Sequence, residues 1–392
     1  MRGRITSLIC SAIAACAVMA TGPAVLAGTS TCPVLHWGTF TGAPKVKTLL
    51  TPTAVSIPGH SQVIQVGSSN SDDYALLANG TLWAWGEGGF GELGNGTTER
   101  FSSTPVRVEF PKGVSIAYIP VNSMPWNTAL AVDTNGNVWG WGYNSGGPLC
   151  LGNQTSYDRP VELPFTNVTS LAGAAEHAVY DSGGVLYSCG LDAAGVLGAG
   201  RKVPYDSLTP VKVKILNGSD VTSLVSSYQN SGALLSNGQY YDWGLNNEGQ
   251  LGDGSTADSP VPVLVSIPDQ SPVVQAALGG SLAHNGETMV KLADGTEYGW
   301  GDNAYKQLDA GASAAQLTPL RLRPPAGVTY SILAANGGTT YEITTANDVY
   351  ARGWGRWGQI GDGSRANASK PVMVLSGMSL ISATAKNVVV AC

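Results

Sequence analysis

One stretch of eight residues, Asn79-Gly-Thr-Leu-Trp-Ala-Trp-Gly86, sets the strongest limits on the fold. Its Asn-Gly pair favours a tight hairpin, because both central residues of a type I′ turn need positive φ. The apolar and aromatic residues that follow predict a short β-strand ending at Gly86. A glycine-rich loop, Gly91-Glu-Leu-Gly-Asn-Gly96, and then Thr104-Pro-Val106 complete the unit.

The unit recurs along the whole chain. Trp-Gly pairs follow each other at spacings of 48 to 57 residues, with Cys189-Gly190 in the place of one pair. The tryptophans of these pairs are Trp37, Trp85, Trp141, Trp243, Trp300 and Trp354. A period near 50 residues with a turn, an aromatic strand and a glycine loop is typical of a propeller blade of about four strands. Seven sites therefore predict an all-β, seven-bladed β-propeller with four-stranded blades.

The two chain ends align with the middle of one unit. Cys32 stands five residues before Trp37, where Gly80 stands before Trp85, and Val388–Cys392 aligns with Ala75–Asn79. This register predicts a blade whose second strand comes from the C-terminus and whose third strand comes from the N-terminus. A disulfide between Cys32 and Cys392 would then replace the missing turn.

Two further cysteines, Cys150 and Cys189, remain after this pairing. Cys150 lies in the glycine loop of one unit and Cys189 takes the aromatic position of the next. We expect either a second disulfide between them, or a buried Cys189 that fills a tryptophan-shaped gap while Cys150 stays a free thiol.

Residues 1–27 have the features of a secretory signal peptide. Arg2 and Arg4 precede an apolar run, and Val25-Leu-Ala27 offers small residues for cleavage. Residues 28–392 then form a single propeller domain, and we expect a secreted or extracellular protein. An alternative is lipoprotein anchoring at Cys16, within Ile13-Ala-Ala-Cys16. No later stretch reaches the roughly 18 apolar residues of a membrane-spanning helix.

The composition limits the classes of partner. Charged residues make up only 12% of the chain, about half the usual share, and the net charge at pH 7 is −6. An acidic surface gives no support to nucleic acid or an anionic membrane as partner. We expect a monomer that binds an extracellular or cell-envelope protein.

The chain offers little catalytic or metal-binding chemistry. Its histidines, His36, His60, His177 and His284, show no metal-ligand spacing. His177 stands at the start of a predicted second strand, where a structural hydrogen bond is the favoured role. No nucleophile elbow, phosphate loop or dinucleotide fingerprint is present. We therefore predict no cofactor, no metal and no catalytic residue.

Large aromatic residues in loops are the remaining candidates for a functional site. The segments after the Trp-Gly pairs carry Phe90, Tyr143, Tyr305 and Trp357, and the loops after the first strands carry Trp126 and Tyr228. One hypothesis is a set of anchors for a protein partner on one propeller face. The alternative is that these side chains only wedge neighbouring blades together.

Taken together, the hairpin, the aromatic strand, Trp-Gly, Gly-Gln-Leu-Gly and Pro-Val resemble the regulator-of-chromosome-condensation repeat. The resemblance covers roughly the whole chain after residue 30 and implies a seven-bladed propeller. The family includes nuclear nucleotide-exchange factors and chromatin binders, roles that an exported acidic protein does not favour. Another branch is similar to secreted bacterial β-lactamase inhibitors, and Asp302–Gln307 has some of that character. A non-catalytic binding propeller is the first hypothesis, and an enzyme acting on an extracellular polymer is a further alternative.

The register of the chain ends can be tested by peptide mapping. Non-reducing digestion of the mature protein is expected to release Cys32 and Cys392 in one disulfide-linked peptide pair. Closing a loop of this length stabilises a fold by about 4–5 kcal/mol on the chain-entropy model, so reduction is expected to lower the melting temperature. Recovery of both residues as free thiols would contradict the pairing.

Overall fold

A computed structural model describes residues 33–40, 47–59, 61–121, 124–200, 206–215, 220–280, 286–308 and 311–392. Residues Cys32–Cys392 form one compact unit. The predicted signal peptide, the Cys16 site, His60, His284 and Cys32 lie outside the described residues.

Seven antiparallel sheets of four strands make up this unit, which confirms the predicted all-β propeller. We number the blades in the order of their third strands, so blade 1 contains Trp37. Its strands in order are β27 (Leu380–Ala383), β28 (Asn387–Ala391), β1 (Val34–Phe40) and β2 (Lys47–Val55), so the first two come from the C-terminal part of the chain and the last two from the N-terminal part. The predicted closure of the ring by both chain ends is therefore confirmed. Within the described residues, the one helical element is a 3₁₀ turn, Ala193–Gly195.

The first strands of the blades lie around the ring axis, and most of them contact the first strand of the next blade. From blade 1 to blade 7 these strands are β27 Leu380–Ala383, β3 Val63–Ser68, β7 Ile116–Tyr118, β11 Val168–Ala174, β15 Val221–Ser227, β19 Val273–Leu278 and β23 Tyr330–Asn336. The second strands are β28 Asn387–Ala391, β4 Asp72–Leu77, β8 Thr128–Asp133, β12 His177–Ser182, β16 Asn230–Leu235, β20 Glu287–Leu292 and β24 Thr339–Thr344.

The third strands carry the Trp-Gly pairs, and the fourth strands form the outer edges. The third strands are β1 Val34–Phe40, β5 Leu82–Glu87, β9 Val138–Gly142, β13 Val185–Gly190, β17 Tyr240–Gly244, β21 Glu297–Asp302 and β25 Asp348–Gly353. The fourth strands are β2 Lys47–Val55, β6 Phe101–Arg107, β10 Tyr157–Glu162, β14 Ser207–Lys212, β18 Ser259–Leu264, β22 Ala315–Arg321 and β26 Ala368–Ser376.

Each fourth strand contains a proline. The seven are Pro52, Pro105, Pro160, Pro210, Pro260, Pro319 and Pro371. Proline has no backbone N–H to donate, so it interrupts the row of free hydrogen-bonding groups that an edge strand presents. The recurrent proline of the sequence repeat therefore protects the rim of the ring from pairing with another strand.

The core is divided among the interfaces between blades. The buried apolar residues of the described chain fall into seven clusters, and each joins two neighbouring blades. Trp141 and Trp300 are fully buried in two of these clusters. A buried tryptophan of this kind typically contributes about 3–5 kcal/mol, measured as the loss on truncation to alanine. Because no blade has a core of its own, the ring folds as one domain.

The tryptophans also make a hydrogen bond across the interface. The indole N–H of Trp141 donates to the Glu92 carbonyl in the glycine loop of the preceding blade, at 2.7 Å. Trp243, Trp300 and Trp37 donate in the same way to Val196, Gln250 and Gln359, at 2.7 to 2.8 Å. The Trp-Gly motif thus supplies the donor of this hydrogen bond, and the Gly-Gln-Leu-Gly loop of the preceding blade supplies the acceptor.

Blade 7 departs from the sequence-based register. The prediction placed Trp354-Gly355 at the end of its third strand, but that strand ends at Gly353. Arg352 pairs with Thr340 as Trp300 pairs with Thr288 in blade 6, and Gly353 has the positive φ of its equivalents. The prediction was wrong by two residues because Arg352 replaces the tryptophan and a loop tryptophan follows at once. The buried Arg352 instead pairs with the Glu342 carboxylate at 3.2 Å.

Cys150 and Cys189 form a disulfide with a Cα–Cα distance of 5.6 Å, which confirms the first of the two expectations for this pair. In other loops the position of Cys150 is a glycine beneath a tryptophan ring; a Cβ on Gly94 would lie 2.8 Å from Trp141 Nε1. Cys150 keeps the backbone of that glycine, with φ 60° against 62° for Gly94. The disulfide therefore replaces the glycine–tryptophan contact between blades 3 and 4. Cys392 is also disulfide-bonded, and its predicted partner lies outside the described residues.

Gly301, the next-to-last residue of the third strand of blade 6, allows a test of the close backbone contact between neighbouring strands. Its φ is 89°, and a Cβ there would lie 2.1 Å from the Gly286 carbonyl oxygen. Gly301→Ala is therefore expected to lower the free energy of unfolding by about 3 kcal/mol or more, because the backbone must shift. Gly295→Ala in the same blade is the matched control, since φ is 87° but no atom lies within 4 Å. We expect a loss of only about 1–2 kcal/mol there. Equal losses in urea denaturation would contradict the close-contact argument.

Candidate interaction face

The loops that carry the predicted aromatic residues lie on one edge of the ring. All strand pairs within the blades are antiparallel, so the loops after the first and third strands emerge on the same side. The Asn-Gly and Asp-Gly hairpins after the second strands emerge on the opposite side. We call the first side the aromatic face. The two classes of loop that carry the predicted aromatic residues therefore lie on one surface.

The glutamine of the Gly-Gln-Leu-Gly loop fixes the aromatic residue two positions before it. The side-chain oxygens of Gln307 and Gln359 accept the backbone N–H of Tyr305 at 3.0 Å and of Trp357 at 2.8 Å. In blade 2 a carboxylate does the same, since Glu92 Oε2 accepts the N–H of Phe90 at 2.7 Å. These loops are therefore held by buried side chains and do not depend on a partner for their conformation.

A second buried side chain supports the same loops, and the sequence analysis missed it. Asn144, Asn246 and Asn303 accept the backbone N–H of the loop leucine five residues later, at 2.9 to 3.1 Å. Asp192 does so in blade 4, at 3.0 Å. The signal in the sequence is an Asn or Asp two residues after the Trp-Gly or Cys-Gly glycine, at a fixed distance from the loop leucine.

The six predicted residues form three groups on the aromatic face. Phe90 and Tyr143 meet at 4.8 Å between ring centroids, with Phe90 44% exposed. Trp126 and Tyr228 stack at 5.3 Å, although they come from blades 3 and 5. Tyr305 and Trp357 both contact Trp354, which they flank. Apart from Phe90, all these rings are half-buried.

Trp354 is a member of the site that the sequence analysis assigned elsewhere. It lies in the loop after β25, stacks on Tyr305 at 5.3 Å and meets Trp357 edge-on at 6.2 Å. The exposed guanidinium of Arg356 lies 5.7 Å from the centre of the Trp357 ring. A correct register for blade 7 would have placed Trp354 among the loop aromatic residues.

A small cavity, open to solvent, lies where the ring axis meets the aromatic face. Every blade contributes to its lining from the end of its first strand or from the loop that follows it, with Thr384, Ser68, Trp126, Gly173, Ser227, Gly280 and Asn336 from blades 1 to 7. The stacked Trp126 and Tyr228 stand on its wall. We call this cavity the channel mouth.

Buried titratable groups lie beneath the face. Burial raises the pKa of Glu92 to about 7, and its Oε1 atom has no hydrogen-bond partner among the described residues. The neighbouring Asp72 is buried too, and burial together with repulsion from Glu92 raises its pKa well above the usual range. His177 is fully buried, contacts Ser226 and Ser231 at 2.8 and 3.1 Å, and burial lowers its pKa to about 3. His177 is thus a neutral structural residue between blades.

The described part of the chain contains no cluster of three or more His, Cys, Asp or Glu side chains arranged to hold a metal ion. The Asp253 and Asp362 carboxylates, which precede Gly-Ser pairs, each accept the backbone N–H two residues later, as turn residues do. A helix of the length and apolar character that a membrane span requires is also not found in these residues.

The propeller, its loop signature and its face define a class of repeat protein. The profile of the RCC1-like domain matches residues 3–392, so the chain belongs to the RCC1-like domain family, as the repeat predicted. The ultraviolet-B receptor UVR8 of Arabidopsis thaliana is 28% identical over 328 residues, which cover 82% of this chain and 72% of the receptor. The human E3 ubiquitin-protein ligase HERC2 is 27% identical over 331 residues, which cover 82% of this chain but only 7% of the ligase.

Two solved structures share the fold. Prp20p of Saccharomyces cerevisiae, studied together with its binding to Gsp1p and histones, has a TM-score of 0.79 and 20% identity, covering 93% of this chain and 92% of its own. Human WBSCR16 has a TM-score of 0.78 and 16% identity, covering 92% of this chain and 98% of its own. The propeller fold of this chain is consistent with a role in protein interaction.

Glu92 gives a testable pH dependence of stability. Its pKa in the folded state lies above the unfolded value of about 4.3, so its contribution is fully present below that pH and is lost as pH rises to about 7. The loss is on the order of 3 kcal/mol at most. Glu92→Gln keeps an oxygen for the Phe90 N–H and removes the charge. We expect the variant to be more stable than the wild type by about 1–3 kcal/mol at pH 8.

The control is the same comparison at pH 4.5, where the two proteins are expected to have similar stability in urea. Gln250→Glu in blade 5 is the reverse substitution at the equivalent position, and it is expected to destabilise the protein at pH 8 more than at pH 4.5. A Glu92→Gln effect of the same size at both pH values would show that ionisation of Glu92 plays no part.

Proposed function

We propose that this protein is a non-catalytic binding propeller whose aromatic face docks a protein partner. The observation that carries the proposal is the convergence of all six predicted aromatic residues, with Trp354, on one edge of the ring. They come from six loops in five blades of a rigid scaffold, and such loops are where binding residues usually reside.

The loops are suited to binding because their conformation is already fixed. Gln307 and Gln359 hold the backbone of Tyr305 and Trp357, so little conformational entropy remains to be lost on association. Tyrosine and tryptophan offer large apolar area with few rotatable bonds, and they dominate interface hot spots. Binding of Gsp1p and histones by Prp20p, a protein of the same fold, supports a protein rather than a small molecule as partner.

We further propose export of the mature chain, on the strength of the leader-like residues 1–27 and the cysteine pair Cys150–Cys189, since disulfides persist in oxidising compartments. In that setting the partner is an extracellular or cell-envelope protein and the propeller acts as a monomer. A net charge of −6 disfavours nucleic acid as the partner. Export also separates the chain from a nuclear GTPase, so nucleotide exchange is the less favoured role. Inhibition of a secreted enzyme such as a β-lactamase fits the same face.

Tyr305→Ala and Trp357→Ala test the face. If these residues are anchors, each change is expected to weaken partner binding by about 2 kcal/mol or more and to leave the melting temperature nearly unchanged. The partner is captured from culture supernatant and cell-envelope fractions with the immobilised mature wild type. Its affinity for each variant is then measured by surface plasmon resonance. Met373→Ala, which removes a 50% exposed side chain from the outer strand β26, is the control and is expected to bind as the wild type does.

The wedge hypothesis predicts the reverse result. If Tyr305 and Trp357 serve only to join blades, their truncation is expected to destabilise the fold by about 3–5 kcal/mol, as for a core cavity. Large losses of melting temperature in both variants would overturn the binding face. Equal affinity of wild type and both variants for every captured protein would do the same.

A further inference from the structure

The channel mouth contains an aromatic pair that is bound to little else. Trp126 and Tyr228 stack on each other at 5.3 Å with an interplanar angle of 25°. The backbone N–H of Trp126 donates to the Ala175 carbonyl of blade 4 at 2.8 Å. This hydrogen bond attaches the Trp126 backbone to the blade 4 loop. Stacking covers one face of each ring, and both half-buried residues line the mouth.

An unpaired carboxylate lies beside this pair. Glu176 follows Ala175 in the blade 4 loop, is half-buried, and makes no ion pair or side-chain hydrogen bond among the described residues. Its side chain lies against Gly146 of blade 3, where a Cβ would be 2.6 Å from Glu176 Oε2. Burial raises the pKa of the Tyr228 hydroxyl, and the negative charge of Glu176 raises it further. Burial, together with repulsion from the Asp206 carboxylate, raises the pKa of Glu176.

Two further acceptors in the cavity have no partner. The Ser227 hydroxyl is buried, with the residue 4% exposed, and makes no hydrogen bond among the described residues. The amide of Asn336 donates to the Ala383 carbonyl at 3.1 Å, which leaves its Oδ1 atom buried and unpaired. Buried polar atoms of this kind are normally satisfied, and here both are enclosed in the wall of the cavity.

The described residues place no cation against this cluster. Lys386, in the blade 1 loop across the ring, interacts with Glu87 of blade 2 instead, and burial lowers its pKa. Arg356 lies over Trp357, in a blade 7 loop on the outer part of the face. The mouth therefore offers a stacked aromatic pair, and the Glu176 carboxylate lies in the adjoining blade 4 loop. A cation suits both groups, because it is attracted to ring faces and to carboxylates.

We propose that the channel mouth binds a lysine or arginine side chain of the protein partner, held between the Trp126–Tyr228 pair and the Glu176 carboxylate. This inference rests on the proposed function for the source of the side chain, whereas recognition of the cation itself is a property of the mouth. The mouth then selects partners with an exposed basic residue, and the surrounding aromatic residues supply contact area.

Tetralysine is the probe, with tetraglutamine as a neutral peptide of similar length. Isothermal titration of the mature protein at about 50 mM salt is expected to show saturable binding of tetralysine and none of tetraglutamine. Glu176→Gln removes one charge and is expected to weaken tetralysine binding at least five-fold. Trp126→Leu is expected to weaken it at least three-fold. Each variant is first shown by thermal melting to be folded.

Asp294→Asn is the matched control for overall charge. Asp294 is an exposed hairpin residue on the opposite face, and asparagine there restores the Asn-Gly turn of other blades. It removes the same charge as Glu176→Gln, yet it is expected to leave tetralysine binding unchanged. If Asp294→Asn and Glu176→Gln lower the affinity equally, the attraction is non-specific and the proposal fails. Absence of tetralysine binding by the wild type also overturns it.

The outer aromatic residues separate this test from that of the proposed function. Trp357→Ala lies away from the channel mouth and is expected to bind tetralysine as the wild type does. Tetralysine binding that depends on Glu176, with partner binding unaffected by Trp357→Ala, would retain the cation site and reject the wider aromatic face. The reverse pattern would retain the face and reject the cation site.

Discussion

The indole N–H of a third-strand tryptophan donates to a loop carbonyl of the preceding blade, and the ring depends on this contact. At the junction of blades 7 and 1 the bond joins Trp37 to Gln359, 322 residues apart in sequence, at 2.8 Å. The same ring is buried in the apolar cluster between those blades. The tryptophan side chain therefore donates a hydrogen bond to the loop carbonyl and also buries apolar area at the interface. Because each blade buries its apolar residues only against its neighbours, closure of the ring completes the core.

The exceptions show what the contact requires. Wherever a tryptophan makes this bond to a loop carbonyl, the loop has a glycine beneath the ring; a Cβ on Gly361, for example, would lie 2.7 Å from Trp37 Nε1. Between blades 3 and 4 both positions change together, and Cys150–Cys189 joins the blades covalently. Between blades 6 and 7 the Gln307 carbonyl accepts the Thr340 hydroxyl at 2.7 Å, and Arg352 replaces the tryptophan. An interface can thus change its chemistry while its backbone geometry is kept.

The same loops connect stability to the proposed binding. Gln359 offers its carbonyl to Trp37 and its side-chain oxygen to the backbone of Trp357. A residue that closes the core therefore also orients an aromatic side chain on the surface. In blade 2 this role falls to Glu92, whose charge is costly to bury near Asp72. The loops of the aromatic face are consequently held by buried hydrogen bonds. The contribution of Glu92 to the stability of the fold decreases as pH rises.

The sequence by itself determined the fold, because the turn, strand and loop marks recur at one period and can be counted. It also determined ring closure, since Val388–Cys392 and Cys32 align with a hairpin that the chain does not contain. It left the Cys150–Cys189 pair open, and it misplaced Trp354, because a pattern of Trp-Gly cannot show that Arg352 occupies the strand. The tertiary structure decided which loop residues meet. Trp126 and Tyr228 are about 100 residues apart in the chain and stack only because the ring brings blades 3 and 5 to a common axis. Glu176 acquires its setting in the same way, from residues of three blades that no local pattern connects.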